Sequence, residues 1–500
     1  MKLSINIIAN LIGRIWAAGI GIVLVPQYIK FMGIEAYGLV GFYGTLIGTM
    51  TLLDLGLSTT INRELTKAVV EKKAADEIRS LVFTIEAIYW AIGLAIGIGV
   101  VLLAPLIAGH WVNAEHLPVA TVTQAVRVMG IVMAFQWPIS LYNGGLTGLE
   151  RQVTDNILMI TMTTIRSGGV ILLLWLVSPT IEMFFIWQAA ISFVYVMSMR
   201  FAVWHYLPKS VLRPQFSKGQ LKMIWRFAAG MTGISITTFF LMQIDKILLS
   251  KILPLSQFAY YILAFTVASG INMVVAPINI AVFPRLTTFV AAKDNGGLVH
   301  AYHKACTLVA SVVFPVGLVL IFFAQDILLI WTKNPTTVKN IILMVQILVT
   351  GSVLNSLMVV PYLLMLAKGE TRYPFYQNIV ASIILVPMLF WWVHLYGATG
   401  GTLVWLVVNT GYVIFSIPLI HKIFMKGQLA AWYFKDTLIP LLPSLITVLI
   451  IKMILNRYVS FKLNLISVGF LTSSVLFISM IFLPEGRTWF KRIGSNFLGR

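Results

Sequence analysis

Residues 30–69 read KFMGIEAYGLVGFYGTLIGTMTLLDLGLSTTINRELTKAV, and residues 251–290 read KILPLSQFAYYILAFTVASGINMVVAPINIAVFPRLTTFV. In both segments a lysine and a short connection lead through Ala-Tyr into a long apolar run that ends at an arginine. When the tyrosines of the two Ala-Tyr pairs are aligned, Arg63 falls one residue from Arg285. Transporter folds are commonly built from internal repeats, so the two segments predict a duplicated chain.

The composition is that of a membrane protein. Apolar residues make up 59% of the chain and charged residues only 11%, whereas about a quarter of the residues in a soluble domain are charged. Runs with few charges recur along the chain, each close to the ~20 residues that a helix needs to cross the hydrocarbon core. These runs predict an all-α integral membrane protein of about 14 transmembrane helices. Its one cysteine, Cys306, excludes a disulfide framework and a cysteine-rich metal site.

The basic residues predict the orientation of the spans. Alternate connections carry most of the 36 lysines and arginines, and connections of this kind stay in the cytoplasm. Both termini are therefore predicted to be cytoplasmic, and the first helix is expected to be retained rather than cleaved as a signal peptide.

Several classes of function lack their sequence signatures. The bases are scattered over short segments without a nucleic-acid-binding motif, no P-loop pattern is present, and the loops predicted to be outside hold too few acids for a metal-dependent active site. We therefore expect no nucleic-acid partner, no metal and no cofactor.

Four stretches carry a resemblance to a known family. GIEAYGLVGFYGTL (33–46) runs into LDLGLSTTINREL (53–65), and QIDKILLSKILPLSQFAYYILA (243–264) is followed by VFPRLTTF (282–289). They resemble the oligosaccharide-lipid flippases, or polysaccharide transporters, of the multidrug/oligosaccharidyl-lipid/polysaccharide (MOP) exporter superfamily.

The resemblance implies two six-helix lobes around a central cavity that opens alternately to either side of the bacterial cytoplasmic (inner) membrane. It assigns spans 1 to 6 to an N-lobe (1–206), spans 7 to 12 to a C-lobe (223–424), and residues 207–222 to a cytoplasmic linker. Spans 13 and 14 and a basic cytoplasmic tail would occupy 425–500. The implied cargo, of the O-antigen type, is a glycan linked to a polyprenyl diphosphate.

Five charged residues are predicted to lie deep in the membrane, where an ionised side chain must face protein or water. Arg14 and Arg166 fall nearest the middle of spans 1 and 5, Arg127 falls in the outer half of span 4, and Asp54 and Glu86 fall in the inner halves of spans 2 and 3. Two interpretations stay open. The carboxylates could hold Arg14 and Arg166 in structural ion pairs, or arginine, being in excess, could bind an anionic ligand.

A polar stripe supports the second interpretation. Asn6, Asn10 and Arg14 follow i, i+4, i+8 spacing, which places them on one face of a helix. The planar guanidinium of arginine suits a diphosphate in a bidentate manner. The candidate substrate-binding residues are therefore Asn6, Asn10, Arg14, Arg127 and Arg166.

Asp245 and Lys246 stand side by side near the predicted outer end of span 7. Neighbouring helix positions diverge by about 100°, so the two side chains are predicted not to pair with each other. They could serve the membrane interface, with Lys246 extending to the headgroups, or form an outer gate or ion-coupling site. Asp54 and Glu86 complete the candidates for ion coupling or gating.

Aromatic residues offer a further choice between binding and packing. Trp137, Tyr142, Trp391 and Trp392 could stack on sugar rings, but the same residue types form belts at the membrane interface. The belt is the favoured interpretation.

The sequence thus predicts a flippase rather than an enzyme, one that moves the lipid-linked oligosaccharide outward by alternating access coupled to an ion gradient. Expected partners are this glycan, membrane lipids, a proton or sodium counter-ion and polysaccharide-assembly proteins. One alternative is a multidrug exporter, although surplus arginine would repel cationic drugs. A membrane glycosyltransferase or ligase is a weaker alternative and would need a catalytic residue on an outer loop, for which the candidates are Glu35, His110, Glu115, His116 and Asp326.

Overall fold

The computed structural model describes residues 2–53, 57–71, 74–219, 243–457 and 465–482. Within these ranges the chain is helical apart from short connections, and the only extended pairing there is an isolated bridge between Asn113 and Pro254. The predicted all-α fold is confirmed.

The chain divides into two compact units, Met1–Ala259 and Tyr260–Arg500. The first unit contains nine helical segments among its described residues: α1 (Lys2–Met32), α2 (Ile34–Leu53), α3 (Leu57–Val70), α4 (Ala75–His110), α5 (Val119–Gln136), α6 (Ile139–Gly148), α7 (Gln152–Leu176), α8 (Ile181–Tyr206) and α9 (243–252). Helix α10 (Leu255–Ala291) begins in the first unit and continues into the second.

The described part of the second unit continues with α11 (Asn295–Phe322), α12 (Ala324–Thr332), α13 (Pro335–Leu357), α14 (Val359–Ala367), α15 (Arg372–Tyr396), α16 (Ala398–Gly411), α17 (Ile417–Phe424), α18 (Leu429–Ala431), α19 (Ile439–Arg457) and α20 (Leu465–Phe482). Two π-helical segments, π1 (Tyr412–Ser416) and π2 (Trp432–Leu438), precede α17 and α19.

In the described ranges, eleven helices are long and apolar enough to cross a membrane. The total of 14 stays a prediction, because residues 220–242, most of predicted span 7, lie outside the described residues. Predicted span 4 is a broken helix: α5 ends at Gln136 and α6 begins at Ile139. Pro138 explains the break because it lacks the amide donor that a continuous helix needs.

The core of the first unit lies among α3, α4, α5, α6 and α8, and its largest fully buried side chains include Tyr89, Tyr142 and Ile61. Helices α4 and α5 approach closely where Gly97 faces Gly130. A Cβ atom at Gly97 would lie 2.8 Å from the carbonyl oxygen of Gly130, and the converse distance is the same. Small residues permit this kind of close helix packing in membranes.

Helix starts in the second unit have side-chain caps. The carboxylate of Asp294 accepts a hydrogen bond from the amide of Gly297 at 2.8 Å, and the side chain of Asn334 accepts one from the amide of Thr337 at 3.1 Å. Such caps satisfy amides that have no partner inside the helix. They fix where α11 and α13 begin.

Candidate functional site

Among the described residues of the first unit, Glu86 on α4 is a buried charge whose two carboxylate oxygens both have hydrogen-bond donors. Its side chain is buried, with 5% exposed, and its Oε1 accepts hydrogen bonds from Arg200 Nε and from the Tyr142 hydroxyl, each at 2.6 Å. Its Oε2 accepts a third from Trp204 Nε1 at 3.1 Å. Trp90 Nε1 donates to the Tyr142 hydroxyl at 3.1 Å and extends the network.

This network shows that the partner of Glu86 is Arg200. Arg200 lies on α8, which continues to Tyr206, and the contact with Glu86 brings it against α4. The assignment of Tyr142 to an interfacial belt is wrong, because this side chain is buried and its hydroxyl is committed to Glu86. A carboxylate with one cation and two neutral donors is the usual form of a structural ion pair.

Arg166 on α7 has a different environment. The residue as a whole is half-buried, and within the described ranges no carboxylate lies at ion-pair distance from its guanidinium. Tyr28 on α1, Tyr43 on α2 and Tyr195 on α8 lie within electrostatic range of its charge. We call Arg166 and these three tyrosines the Arg166 cluster.

Two polar atoms on these helices are buried without a hydrogen-bond partner among the described residues: the Tyr43 hydroxyl and, about three helical turns before Arg166 on α7, Asp155 Oδ1. Asp155 also acts electrostatically on Tyr195. Buried polar groups are normally hydrogen-bonded, and the exceptions mark strain, water or a ligand site. The Arg166 cluster therefore combines an uncommitted guanidinium with a polar atom that could accept or donate a further hydrogen bond.

Helix α1 packs along α7 next to this cluster. Asn10 faces α7 and its Oδ1 accepts a hydrogen bond from Asn156 Nδ2 at 2.5 Å. The side chains of Asn6 and Arg14 and the whole of Asp54 lie outside the described residues, so their predicted roles stay predictions. By helical spacing Arg14 occupies the face of α1 that carries Asn10.

Arg127 does not join the Arg166 cluster. It lies on α5 with its side chain exposed, and none of the described side chains forms an ion pair with it. Its predicted part in substrate binding stays a prediction.

Asp245 and Lys246 pair with each other, contrary to expectation. Lys246 Nζ lies 3.4 Å from Asp245 Oδ1, and the side chains are 11% and 14% exposed, respectively. The prediction failed because the four-carbon stem of lysine is long enough to bend its ammonium back around the helix. Both residues are committed to local contacts in the part of α9 that the structure describes.

Next to α9, the connection between α4 and α5 is held on two sides. Glu35, at the start of α2, accepts hydrogen bonds from the amides of Glu115 and His116 at 2.5 and 3.0 Å. Asn113 Nδ2 donates to the carbonyl of Lys251 at 2.8 Å, and the amide of Leu255 donates to the carbonyl of Asn113 at 2.8 Å.

We call residues 111–118, Glu35 and residues 250–256 together the clasp. Two further hydrogen bonds belong to it. Trp111 Nε1 donates to the Ser250 hydroxyl at 3.1 Å, and the Ser256 hydroxyl donates to Glu115 Oε2 at 2.8 Å. Gly38 allows the contact, because a Cβ there would lie 2.6 Å from the carbonyl oxygen of Leu255. The sequence offers no periodic signal for the clasp, since its partners are backbone groups of distant connections.

Comparison with known proteins identifies the family. The profile described as polysaccharide biosynthesis protein matches residues 3–290, more than half of the chain. The chain belongs to this family. A second profile, MatE, matches residues 231–391, so the polysaccharide biosynthesis protein family and MatE together account for most of the sequence.

A curated relative of this polysaccharide biosynthesis protein is the putative O-antigen transporter of Shigella flexneri. It is 22% identical over 184 residues, which cover 37% of this chain and 43% of that protein. The chain thus matches less than half the length of that relative.

Two solved structures share the fold. The structure described as lipid II flippase MurJ in an inward closed conformation aligns over 99% of this chain and 100% of its own, with a TM-score of 0.68 and 15% identity. An inward-facing multidrug resistance MATE family transporter of the MOP superfamily aligns over 87% and 99%, with a TM-score of 0.62 and 15% identity.

These matches confirm three predictions. The chain is a member of the MOP exporter superfamily, it has the multi-pass helical fold of these transporters, and its class is that of a transporter rather than an enzyme.

Proposed function

We propose that the protein is a flippase that moves a polyprenyl-diphosphate-linked oligosaccharide from the inner to the outer leaflet of the bacterial cytoplasmic membrane. The single observation that carries this proposal is Arg166, a half-buried arginine with no carboxylate partner among the described residues. An uncompensated cation inside a membrane protein is costly, and an anionic cargo would relieve that cost. The family's description and the named O-antigen transporter support a glycan cargo.

The chemistry of the Arg166 cluster suits a diphosphate. A guanidinium presents five N–H donors in a planar fork that binds phosphate oxygens in pairs. Tyr28, Tyr43 and Tyr195 lie within electrostatic range of it. The Tyr28 hydroxyl donates to the carbonyl of Ser167, whereas the Tyr43 hydroxyl has no partner among the described residues and is available to donate to a phosphate oxygen. Arg14, on the Asn10 face of α1, would supply a second cation.

The clasp fits a gate that must open during alternating access. With both termini in the cytoplasm, as proposed, the connection 111–118 and residues 250–256 lie on the outer side of the membrane. A gate of this kind has to release its hydrogen bonds before cargo can leave toward the outer leaflet. The proposed N-lobe (1–206) and the start of the proposed C-lobe (223–424) would separate there.

A disulfide across the clasp tests this step. Asn113 and Pro254 form a bridge pair, and such close backbones suit disulfide geometry. The double variant Asn113→Cys, Pro254→Cys should transport when reduced and stop when oxidised. The native Cys306 is buried and should not interfere. If the oxidised protein transports as fast as the reduced protein, opening of the clasp is not part of the mechanism.

Ion coupling completes the proposal. We propose that a proton or sodium ion moving inward drives the cycle, with Asp54 and the Asp245–Lys246 pair as candidate coupling or gating residues. Glu86 keeps this candidate role only if its pairing with Arg200 breaks during transport. Polysaccharide-assembly proteins are the proposed partners on the outer side.

A multidrug exporter is the second candidate, favoured by the MatE match over residues 231–391 and by the MATE transporter fold. Cationic drugs would need a carboxylate in place of the guanidinium that dominates the Arg166 cluster. The two candidates therefore predict cargo of opposite charge.

Reconstitution into vesicles separates them. A flippase should carry a labelled polyprenyl-diphosphate oligosaccharide to the opposite leaflet under an imposed proton or sodium gradient, and should leave a cationic dye where it is. Transport of the dye alone would establish the multidrug exporter. Transport of neither under any gradient would contradict both.

A further inference from the structure

The second unit holds a group of titratable side chains that the proposed cargo site does not use. His303 and Thr307 lie on α11, Gln428 precedes α18, and Asp436 lies in π2. We call these four residues the His303 cluster. His303 Nδ1 lies 2.5 Å from Asp436 Oδ2, and His303 Nε2 lies 3.0 Å from Gln428 Oε1. Asp436 is buried, with 3% exposed.

In the orientation that the structure gives to the Gln428 amide, both ring nitrogens of His303 face acceptor oxygens, and this arrangement calls for a bound proton. A neutral imidazole has one N–H, whereas the imidazolium ion has two. Two arrangements satisfy the contacts: the imidazolium donates to both Asp436 and Gln428, or a protonated Asp436 donates to Nδ1 while the imidazole donates from Nε2. Both arrangements contain the same number of protons, one more than a neutral imidazole beside an ionised carboxylate.

Thr307 cannot replace that proton. Its hydroxyl lies 3.0 Å from Asp436 Oδ1 and 2.8 Å from the carbonyl oxygen of His303. A hydroxyl has a single hydrogen, so the carboxylate shares this donor with the backbone. His303 is therefore the donor whose hydrogen bond to Asp436 is not shared with the backbone.

The neighbouring His421 on α17 provides a contrast. Its Nδ1 lies 2.8 Å from the carbonyl oxygen of Ile417, and its Nε2 lies 3.2 Å from the Tyr302 hydroxyl, which can donate. One N–H therefore satisfies His421 in the neutral form. Two histidines on adjacent helices thus have contacts that call for different numbers of protons.

The charged and titratable groups around His303 are few in the part of the chain that the structure describes. Asp436 and Lys435 come from π2, His421 from α17, and Tyr302, Lys304 and Cys306 from α11 itself. Helices α14 and α20 carry no charged residue, and the charged residue of α13, which also packs against α11, is Lys339 near the start of that helix. Lys452 of α19 donates to the carbonyl of Phe322. Phe322 is at the opposite end of α11 from His303.

The cluster lies where the C-terminal helix pair begins. Segment π2 leads into α19, and α19 and α20 pack against α11 around Val319, Phe323, Val448 and Val475. The Tyr433 hydroxyl of π2 donates to the carbonyl of Val413 in π1 at 2.6 Å. π-Helical turns weaken the regular hydrogen-bond ladder and occur often at functional sites. Side chains of the His303 cluster therefore hold a segment whose backbone is locally irregular.

We propose that His303 and Asp436 bind one proton, and that this proton fastens the start of the C-terminal helix pair to α11. Loss of the proton leaves the buried Asp436 carboxylate opposite a neutral imidazole, and the Gln428 amide must turn over to keep a hydrogen bond. A buried charge without its partner is costly. The contact between π2 and α11 at the His303 cluster, which we call the joint, therefore opens more often as the pH rises. This site acts whatever the cargo is.

Cys306 provides a built-in reporter. It is the one cysteine in the chain, it is buried with 5% exposed, and it lies one helical turn beyond His303. The experiment measures the labelling rate of Cys306 by N-ethylmaleimide in the purified full-length protein between about pH 6 and pH 8. Thiol ionisation alone raises such a rate about tenfold per pH unit. We expect a steeper rise, because opening of the joint adds to it.

The variants decide the cause of the steeper rise. His303→Gln and Asp436→Asn should each reduce the slope to that of thiol ionisation and raise the rate at low pH. His300→Gln is the matched control, since His300 lies on the same helix with its side chain exposed, and it should keep the wild-type slope. A wild-type slope in both His303→Gln and Asp436→Asn would overturn the proposal.

A second measurement does not depend on how the variants fold. In wild-type protein labelled with ¹⁵N-histidine, the nitrogen spectrum near pH 6 distinguishes imidazolium from neutral imidazole. It should show a histidine that keeps an extra proton to higher pH than exposed histidines do, beside a neutral one that corresponds to His421. If every histidine titrates like an exposed one, the proton-binding site does not exist.

Discussion

Glu86 and Arg166 are both charged residues deep in predicted spans of the first unit, and their surroundings differ. Glu86 receives three hydrogen bonds, one from the guanidinium of Arg200 and two from neutral donors. Arg166 lies among tyrosines and has no carboxylate partner within the described ranges. A charge that the fold itself compensates is explained by stability, whereas a charge left over calls for a ligand.

The surroundings of Glu86 decide one of the two structural ion pairs that the sequence left open. A structural ion pair between Glu86 and one of the deep arginines Arg14 and Arg166 was one interpretation, but Glu86 is paired with Arg200 instead. Whether Asp54 pairs with Arg14 is not decided, because both side chains lie outside the described residues. Arg166 is therefore the arginine for which ligand binding is best supported.

The largest expected effect on stability comes from removing the cation beside Glu86. Arg200→Gln leaves a buried carboxylate without its charged partner; because the Arg200 side chain is itself 48% exposed, the cost should fall below that of a fully buried pair, at about 2 kcal/mol. We expect a loss of that size in the free energy of unfolding, measured by detergent titration in mixed micelles.

The double variant is the control for this prediction. Adding Glu86→Gln to Arg200→Gln removes the unpaired charge, and the amide oxygen can still accept from Tyr142 and Trp204. Stability should return to within about 1 kcal/mol of the wild type. A double variant as unstable as the single one would show that the pair is not the structural unit described here.

A smaller effect is expected from the neutral donor. Tyr142→Phe removes the hydroxyl that donates to Glu86 at 2.6 Å and leaves the ring in place. Loss of one hydrogen bond to a charged group costs about 1.5–3 kcal/mol, and the lower end applies because Arg200 and Trp204 remain. The same titration would measure it, and an unchanged free energy of unfolding would remove Tyr142 from the network.

The smallest effect on stability is expected at Arg166. Since no carboxylate among the described residues depends on it, and since an uncompensated cation in the membrane is itself costly, Arg166→Gln should either raise the free energy of unfolding or lower it by less than about 0.5 kcal/mol. Transport in vesicles should nevertheless fall at least about tenfold, and Arg166→Lys should restore part of it because lysine keeps the charge but loses the fork. A destabilisation comparable to that of Arg200→Gln would return Arg166 to a structural role.

The sequence predicted the features that depend on periodicity and composition. Helical class, membrane insertion and the family followed from long apolar runs, the repeated Ala-Tyr segments and the arginines that end them. Arg166 could be singled out because a charge in an apolar run is visible without knowing its neighbours.

Contacts between distant segments could not be predicted in this way. The partner of Glu86 is 114 residues away, the clasp joins side chains to backbone groups of other connections, and the His303 cluster depends on π2, whose extra residue per turn has no signature in the sequence. The error over Asp245 and Lys246 has another cause: helical angle alone ignores the reach of a long side chain.

The most direct test of the central claim compares two lipids that differ by one phosphate. Binding of a polyprenyl-diphosphate oligosaccharide and of its monophosphate counterpart would be measured on wild type and Arg166→Gln in the same detergent. If Arg166 binds the diphosphate, the wild type should prefer the diphosphate by about tenfold, or about 1.4 kcal/mol, and the variant should lose that preference while its affinity for the monophosphate changes less. An Arg166→Gln protein that retains the wild-type preference would contradict the account.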